Sequence, residues 1–246
     1  DIFADAWRKS PNVFRVDGAP VIAIYSSFDY TVEEWRMIME RFEARYGKAI
    51  WLINFWWKTY DVSSKPTQLR EYLPWFDGVT AYANWSSQHQ QELYETIGPI
   101  MHEEFPQKIF EGTVHNTYAV HYHHGGIAIR LSEKYRESWK SMHDCRPDSI
   151  MMTNLFDHWE NSLVLPCYER EDFILRYAEY QMSRLFGKKF HTATEPELVL
   201  TNYIDLIPFT RPVCFEVVAF PLEGDSEIAI GLEIANADGT IVHSFP

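Results

Sequence analysis

The chain of 246 residues has little glycine, 11 residues, and its one adjacent pair, Gly125-Gly126, forms no phosphate loop, so nucleotide chemistry has no support. It has three cysteines, Cys145, Cys167 and Cys214, an odd number with no C-x-x-C spacing, which excludes the usual redox and thiolate-metal frameworks; Cys145 and Cys167 are the two that could be bridged. Basic residues are few, 22 Lys and Arg against 35 Asp and Glu. The formal charge of −13 excludes a nucleic-acid backbone as partner, because such binding needs clustered cations to displace counterions. No apolar run reaches the roughly 18 to 20 residues of a membrane span, and the first residues, "DIFADAWRKS", lack the basic-then-apolar order of a signal peptide. There is no G-x-S-x-G elbow and no H-E-x-x-H.

What the chain has is aromatics. Phe, Trp and Tyr make up 16% of it, with nine Trp, and flat rings with a polar edge both fill cores and stack on sugars. At 46% hydrophobic it can bury a large core. Five short, nearly continuous apolar runs begin at Ala19, Lys48, Phe76, Gln107 and Asp148, as strands covered on both faces do. Amphipathic stretches lie between them: "TVEEWRMIMERFEARYG", "SSQHQQELYETIGPIMHEEF", "SEKYRESWKSMHD" with Ser132 as its N-cap, and "REDFILRYAEYQMSRLFG". This alternation predicts βα units on a parallel sheet. Five units do not close a barrel of eight, and the chain opens on what reads as a helix, so the expectation is the latter part of a (β/α)8 TIM-type barrel. After Gly187 the pattern alternates apolar and polar and carries turn signals such as Ala237-Asp238-Gly239. That predicts a barrel domain over residues 1–190, incomplete at its N-terminus, and a small antiparallel β-sandwich-like domain over 196–246.

Reactive groups of parallel α/β folds gather at the carboxyl ends of the strands. Those ends hold Trp56 and Trp57; Tyr82, Asn84 and Trp85; Glu111 and His115; and Asp157, His158, Trp159, Glu160 and Asn161. Rings beside amides, imidazoles and acids suit a carbohydrate, the rings stacking on pyranose faces and the polar groups taking hydroxyls; capping of the barrel core is the other use for these tryptophans. Glycoside cleavage needs a protonated carboxyl to protonate the departing oxygen and a second group to attack or activate an attacker. Asp157 and Glu160, three apart, are the pair that supplies both if the turn after the strand curls, with mutual repulsion raising one pKa.

The segment "DCRPDSIMMTNLFDHWENS" resembles family 71 glycoside hydrolases, the α-1,3-glucanases or mutanases, in which a helix, a "PD" turn and a strand lead to a D-x-x-E pair. It also resembles the family 99 endo-α-mannosidases, where the loop is E-x-x-E. "SPNVFRVDGAPVIAIYS" is similar to the strand entry common in this group. The resemblance spans residues 10–190 loosely and 145–162 most closely. It implies a (β/α)8 enzyme with Asp157 and Glu160 as catalytic acids, an oligosaccharide or polysaccharide with α-glucosidic or α-mannosidic bonds as substrate, no cofactor, and a secreted or periplasmic setting. The family 99 likeness further implies that the substrate's own 2-hydroxyl attacks. The loop reads D-H-W-E where the mutanases have D-Y-G-E, and "EGTVHNTYAVHYHHGG" matches the substrate loop of neither family. Glu111 is therefore an additional acid candidate, with a buried salt bridge as its alternative role.

The four histidines His115, His121, His123 and His124 lack the carboxylate or thiolate partners of a zinc site, and no metal is expected. Asn84-Trp85-Ser86 fits a glycosylation sequon, a triplet common by chance. The alternative to an enzyme is a non-catalytic carbohydrate-binding protein on the same cleft.

Overall fold

The computed structural model describes residues 9–25, 27–54, 62–82, 87–115, 132–153, 164, 172–188, 197–202, 215–220 and 229–245. Strand β1 (Arg15–Val16) turns into β2 (Ala19–Ile24) through Asp17 and Gly18, both with positive φ (49° and 80°), as a two-residue hairpin of primed type requires. From β2 onward every strand of this sheet is parallel to the last: β3 (Ile50–Asn54), β4 (Gly78–Thr80), β5 (Ile109–His115) and β6 (Ser149–Thr153). The spatial order β1-β2-β3-β4-β5-β6 equals the chain order. A sheet that never reverses its order is wound as barrels are, and the six strands form a curled half-barrel.

Each of the five apolar runs became one of these strands. Helix α1 (Val32–Tyr46) starts on a capping box: Thr31 Oγ1 accepts from the Glu34 N–H, and Glu34 Oε2 accepts from the Thr31 N–H at 2.7 Å. It ends at Gly47, φ 83°, where a side chain would be strained. Helix α2 (Lys65–Tyr72), not expected from the sequence, buries Leu69 and, just past its end, Leu73. Helices α3 (Ser87–Glu104), α4 (Glu133–Cys145) and α5 (Phe173–Phe186) complete the outer layer. Ser132 does not cap α4 with its hydroxyl. Its N–H and Oγ–H both go to Glu216 Oε2, at 2.9 and 2.6 Å, so a carboxylate from a later strand meets the positive end of the helix.

One device fixes the strand register twice. Asp77, just before β4, donates its N–H to Trp51 O (2.9 Å) and accepts the Trp51 N–H on Oδ2 (2.9 Å). Asp148, just before β6, repeats this on Phe110, at 2.7 and 2.9 Å. Each aspartate closes a two-bond ring with the second residue of the preceding strand and satisfies an edge N–H that would otherwise go unpaired. The "PD" turn noted in the sequence thus acts as a register lock.

Helices and sheet share one core containing Trp35, Trp51, Ile53, Phe76, Val79, Tyr94, Phe110, Trp139 and Met142. Two glycines permit the close packing. A Cβ on Gly78 would stand 2.3 Å from Ile109 O, and one on Gly112 would stand 2.2 Å from Met142 Sδ. Cys145 is a free thiol in this core, its Sγ–H directed at Met142 O; the bridge to Cys167 is not made. Burial holds the Cys145 pKa up at about 12, so it is inert.

Beyond α5 lie two antiparallel pairs, β7 (Glu197–Asn202) with β8 (Phe215–Phe220), and β9 (Leu232–Ala235) with β10 (Ile241–Phe245). The turn between β9 and β10 forms at Asp238-Gly239, where the sequence signalled it. Val218 and Phe220 of β8 enter the main core, Phe220 meeting Tyr180 edge-on at 5.6 Å and Tyr177 at 6.0 Å.

Candidate active site at the strand ends

Alternation along a strand sends successive side chains to opposite faces. In β5, Phe110, Gly112 and Val114 face the helices, and Glu111, Thr113 and His115 take the other face. The same rule puts Asn54 and Thr80 on that face, and the register pairs Asn54 with Thr80 and Glu111 with Ser149. A polar layer therefore crosses the inner face of the sheet, and it continues to the carboxyl ends.

The ends of β2, β3 and β4 are stitched together by short polar side chains. Ser27 Oγ donates to Ile24 O (2.7 Å) and accepts the Asn54 N–H (2.8 Å), while Asn54 Oδ1 accepts the Tyr82 N–H (3.0 Å). Trp35 Nε1–H donates to Ser27 O at 2.6 Å, fixing α1 to this corner. The rings of Tyr82 and Tyr25 meet edge to face at 5.8 Å. Tyr82 thus stands where the sequence placed it, half-buried at the mouth.

At the ends of β5 and β6, His115 Nδ1 and Thr153 Oγ1 are 2.8 Å apart, and the His115 N–H donates to Ser138 Oγ at 3.1 Å. The imidazole is buried. Burial, helped by the nearby charge of Lys134, pushes its pKa down to about 3, so the ring is neutral through the physiological range and bonds Thr153 in whichever sense its tautomer dictates. Lys134, on the first turn of α4, has a buried Nζ without a hydrogen-bond partner, and burial brings its pKa down to about 8.

Glu111 is not at the strand's end. β5 runs on to His115, four residues further, and Glu111 sits lower in the inner layer. Among the described residues it forms no ion pair; its neighbours are Ser149, whose Oγ–H donates at 3.4 Å, and the Thr80 hydroxyl, close enough to favour the carboxylate without a well-formed bond. Burial outweighs both hydroxyls and raises the Glu111 pKa. Among the described residues Glu111 is an acid among hydroxyls.

Trp56, Trp57, Asn84, Trp85, Asp157, His158, Trp159, Glu160 and Asn161 lie outside the described residues, as do His121, His123 and His124. Among the described residues no three His, Cys, Asp or Glu side chains gather as a metal site would require. Lys134 was missed by sequence reasoning. Its signal was present: Lys134, Ser138, Ser141 and Met142 recur at helical spacing, and the last three are buried, so a lysine stood on the inward stripe.

No family model matches this chain, and no curated protein matches it. Solved structures do. The chain superposes on a GH99 endo-alpha-mannosidase from Bacteroides thetaiotaomicron with a TM-score of 0.59 at 15% identity, over 76% of this chain and 60% of that one. With the same enzyme in complex with bis-tris-propane the TM-score is 0.60 at 14% identity, over 76% and 64%. The chain spans about three-fifths of the length of these structures. The likeness is one of fold: a partial barrel of the GH99 type.

Proposed function

We propose that the chain carries the acid-pair half of a (β/α)8 glycoside hydrolase acting on α-linked mannosides or glucans, with Asp157 and Glu160 as the two catalytic carboxyls. The observation that carries this reading is the sequential parallel winding β2 to β6, shared with an endo-alpha-mannosidase, in which the D-H-W-E segment begins four residues after β6 ends at Thr153. A loop at that position is where barrel enzymes keep their chemistry. The inner face below it is polar, and His115 and Tyr82 are held at the mouth by backbone and ring contacts, as groups that orient a sugar must be.

In this reading one carboxyl of the pair protonates the departing glycosidic oxygen and the other removes a proton from the attacking group, either water or the substrate's own 2-hydroxyl. His158, Trp159 and Asn161 stand beside the pair, and Trp56, Trp57, Asn84 and Trp85 offer stacking and hydrogen bonds from the neighbouring strand ends. Glu111, in the inner layer of β5, is a further acid candidate. Residues 1–190 form the catalytic domain and 196–246 the C-terminal β domain, docked through β8.

The test is a panel of α-1,2-, α-1,3- and α-1,6-linked manno- and gluco-oligosaccharides, scored for release of reducing ends and for binding. Hydrolysis of at least one member is expected. Binding without hydrolysis would replace the enzyme with a carbohydrate-binding protein, and neither would end the carbohydrate reading.

A further inference from the structure

A buried ammonium is normally answered by a carboxylate or by carbonyl oxygens, since an unpaired charge away from water is among the costliest groups a fold can hold. Lys134 has no such answer: its Nζ is buried with no hydrogen-bond partner. Among the described residues, the Glu216 carboxylate at the start of α4 is taken up by Ser132 and Arg136. The buried imidazole of His115 brings no negative charge, and the Thr153 and Ser138 hydroxyls are engaged with His115. Lys134 also stands at the carboxyl ends of β5 and β6, the mouth side of the sheet, and not in the lower interior.

We propose that Lys134 is an anion-recognition residue of the sugar site, receiving an oxyanion borne by the substrate and so selecting acidic α-glycosides over neutral ones. This rests on the carbohydrate reading above. His115 would form the neutral wall of that subsite, held by Thr153 and Ser138, with Lys134 supplying the cation. A Lys is a point charge that does not distinguish a carboxylate from a sulfate ester, and both belong to the ligand class.

Methyl α-glucuronoside and methyl α-glucoside serve as probes, titrated by NMR into the wild type, Lys134→Met and Lys134→Arg. The glucuronoside is expected to bind the wild type about tenfold tighter than the glucoside, with the preference lost in Lys134→Met and kept in Lys134→Arg. Equal binding in the wild type, or an undiminished preference in Lys134→Met, overturns the assignment. A second measurement stands apart from sugars: sodium sulfate, against sodium chloride at equal ionic strength, should raise the thermal midpoint of the wild type and not of folded Lys134→Met. If neither sugar binds but the sulfate effect holds, the anion site stands and the carbohydrate reading falls; if the sulfate effect is also missing, both fall. Should Lys134→Met not fold, weakening of glucuronoside binding by sulfate in the wild type decides, and its absence counts against the site.

Discussion

On the helix side of the parallel sheet, Trp51, Ile53, Val79, Phe110 and Val114 are at most 5% exposed and belong to the shared apolar core. On the opposite side, at the same strand levels, stand Asn54, Thr80, Glu111, Thr113 and His115. Burial does not separate the two sides, for Thr80 and Thr113 are as completely covered as Val79. Polarity separates them. Among the described residues four buried side-chain atoms lack a hydrogen bond, the hydroxyls of Thr80 and Thr113 on the inner face and, on α4, Lys134 Nζ and Trp139 Nε1, each at a cost of about 1–3 kcal/mol or more. Buried hydroxyls, an amide and a carboxyl in place of apolar side chains cost stability on the inner face, and that is where a site is expected.

The largest effect that would break this contrast is on stability. Phe110→Ala, on the helix side, is expected to cost about 3–5 kcal/mol in urea unfolding, through lost burial and the cavity left against Tyr94 and His102. Thr113→Val, three residues further along β5 and on the other face, removes an unsatisfied hydroxyl at nearly constant shape and is expected to be neutral or stabilising by about 1 kcal/mol. Equal losses from the two would erase the distinction.

A smaller effect sharpens it through pH. Glu111 has a raised pKa in the folded state, so the unfolded chain releases this proton first; the stability linked to it is present below about pH 4.5 and lost as pH rises through the folded value. Glu111→Gln should therefore flatten the alkaline side of the stability profile measured between about pH 5 and pH 8. His115 has the opposite sign. Its folded pKa of about 3 lies below the unfolded 6.5, so its contribution is present above pH 6.5 and is lost as pH falls toward 3. His115→Gln should flatten that acid limb and leave the alkaline one unchanged.

The same contrast explains what was legible in the sequence. Strands buried on both sides read as continuous apolar runs, and all five were visible as such, as was α1 with its Thr31 cap and Gly47 stop. α2 was not, because eight residues with Pro66 in the first turn and little apolar periodicity resemble a loop. Ser132 carried the local signature of an N-cap, yet Glu216, 84 residues away, took its hydroxyl; no local pattern contains that competition. Glu111 was read at a strand end, whereas β5 runs on to His115, and Gly112 within it allows the close approach of Met142. The fold likeness covers the winding of the sheet, and the acid pair remains a reading of four residues, D-H-W-E, in their place after β6.

Hydrolysis by single amide variants tests that reading most directly. On whichever α-linked manno- or gluco-oligosaccharide the wild type cleaves, Asp157→Asn and Glu160→Gln are each predicted to lower turnover by on the order of a hundred- to ten-thousand-fold, with circular dichroism and sugar affinity unchanged. Wild-type turnover in either folded variant would contradict the account.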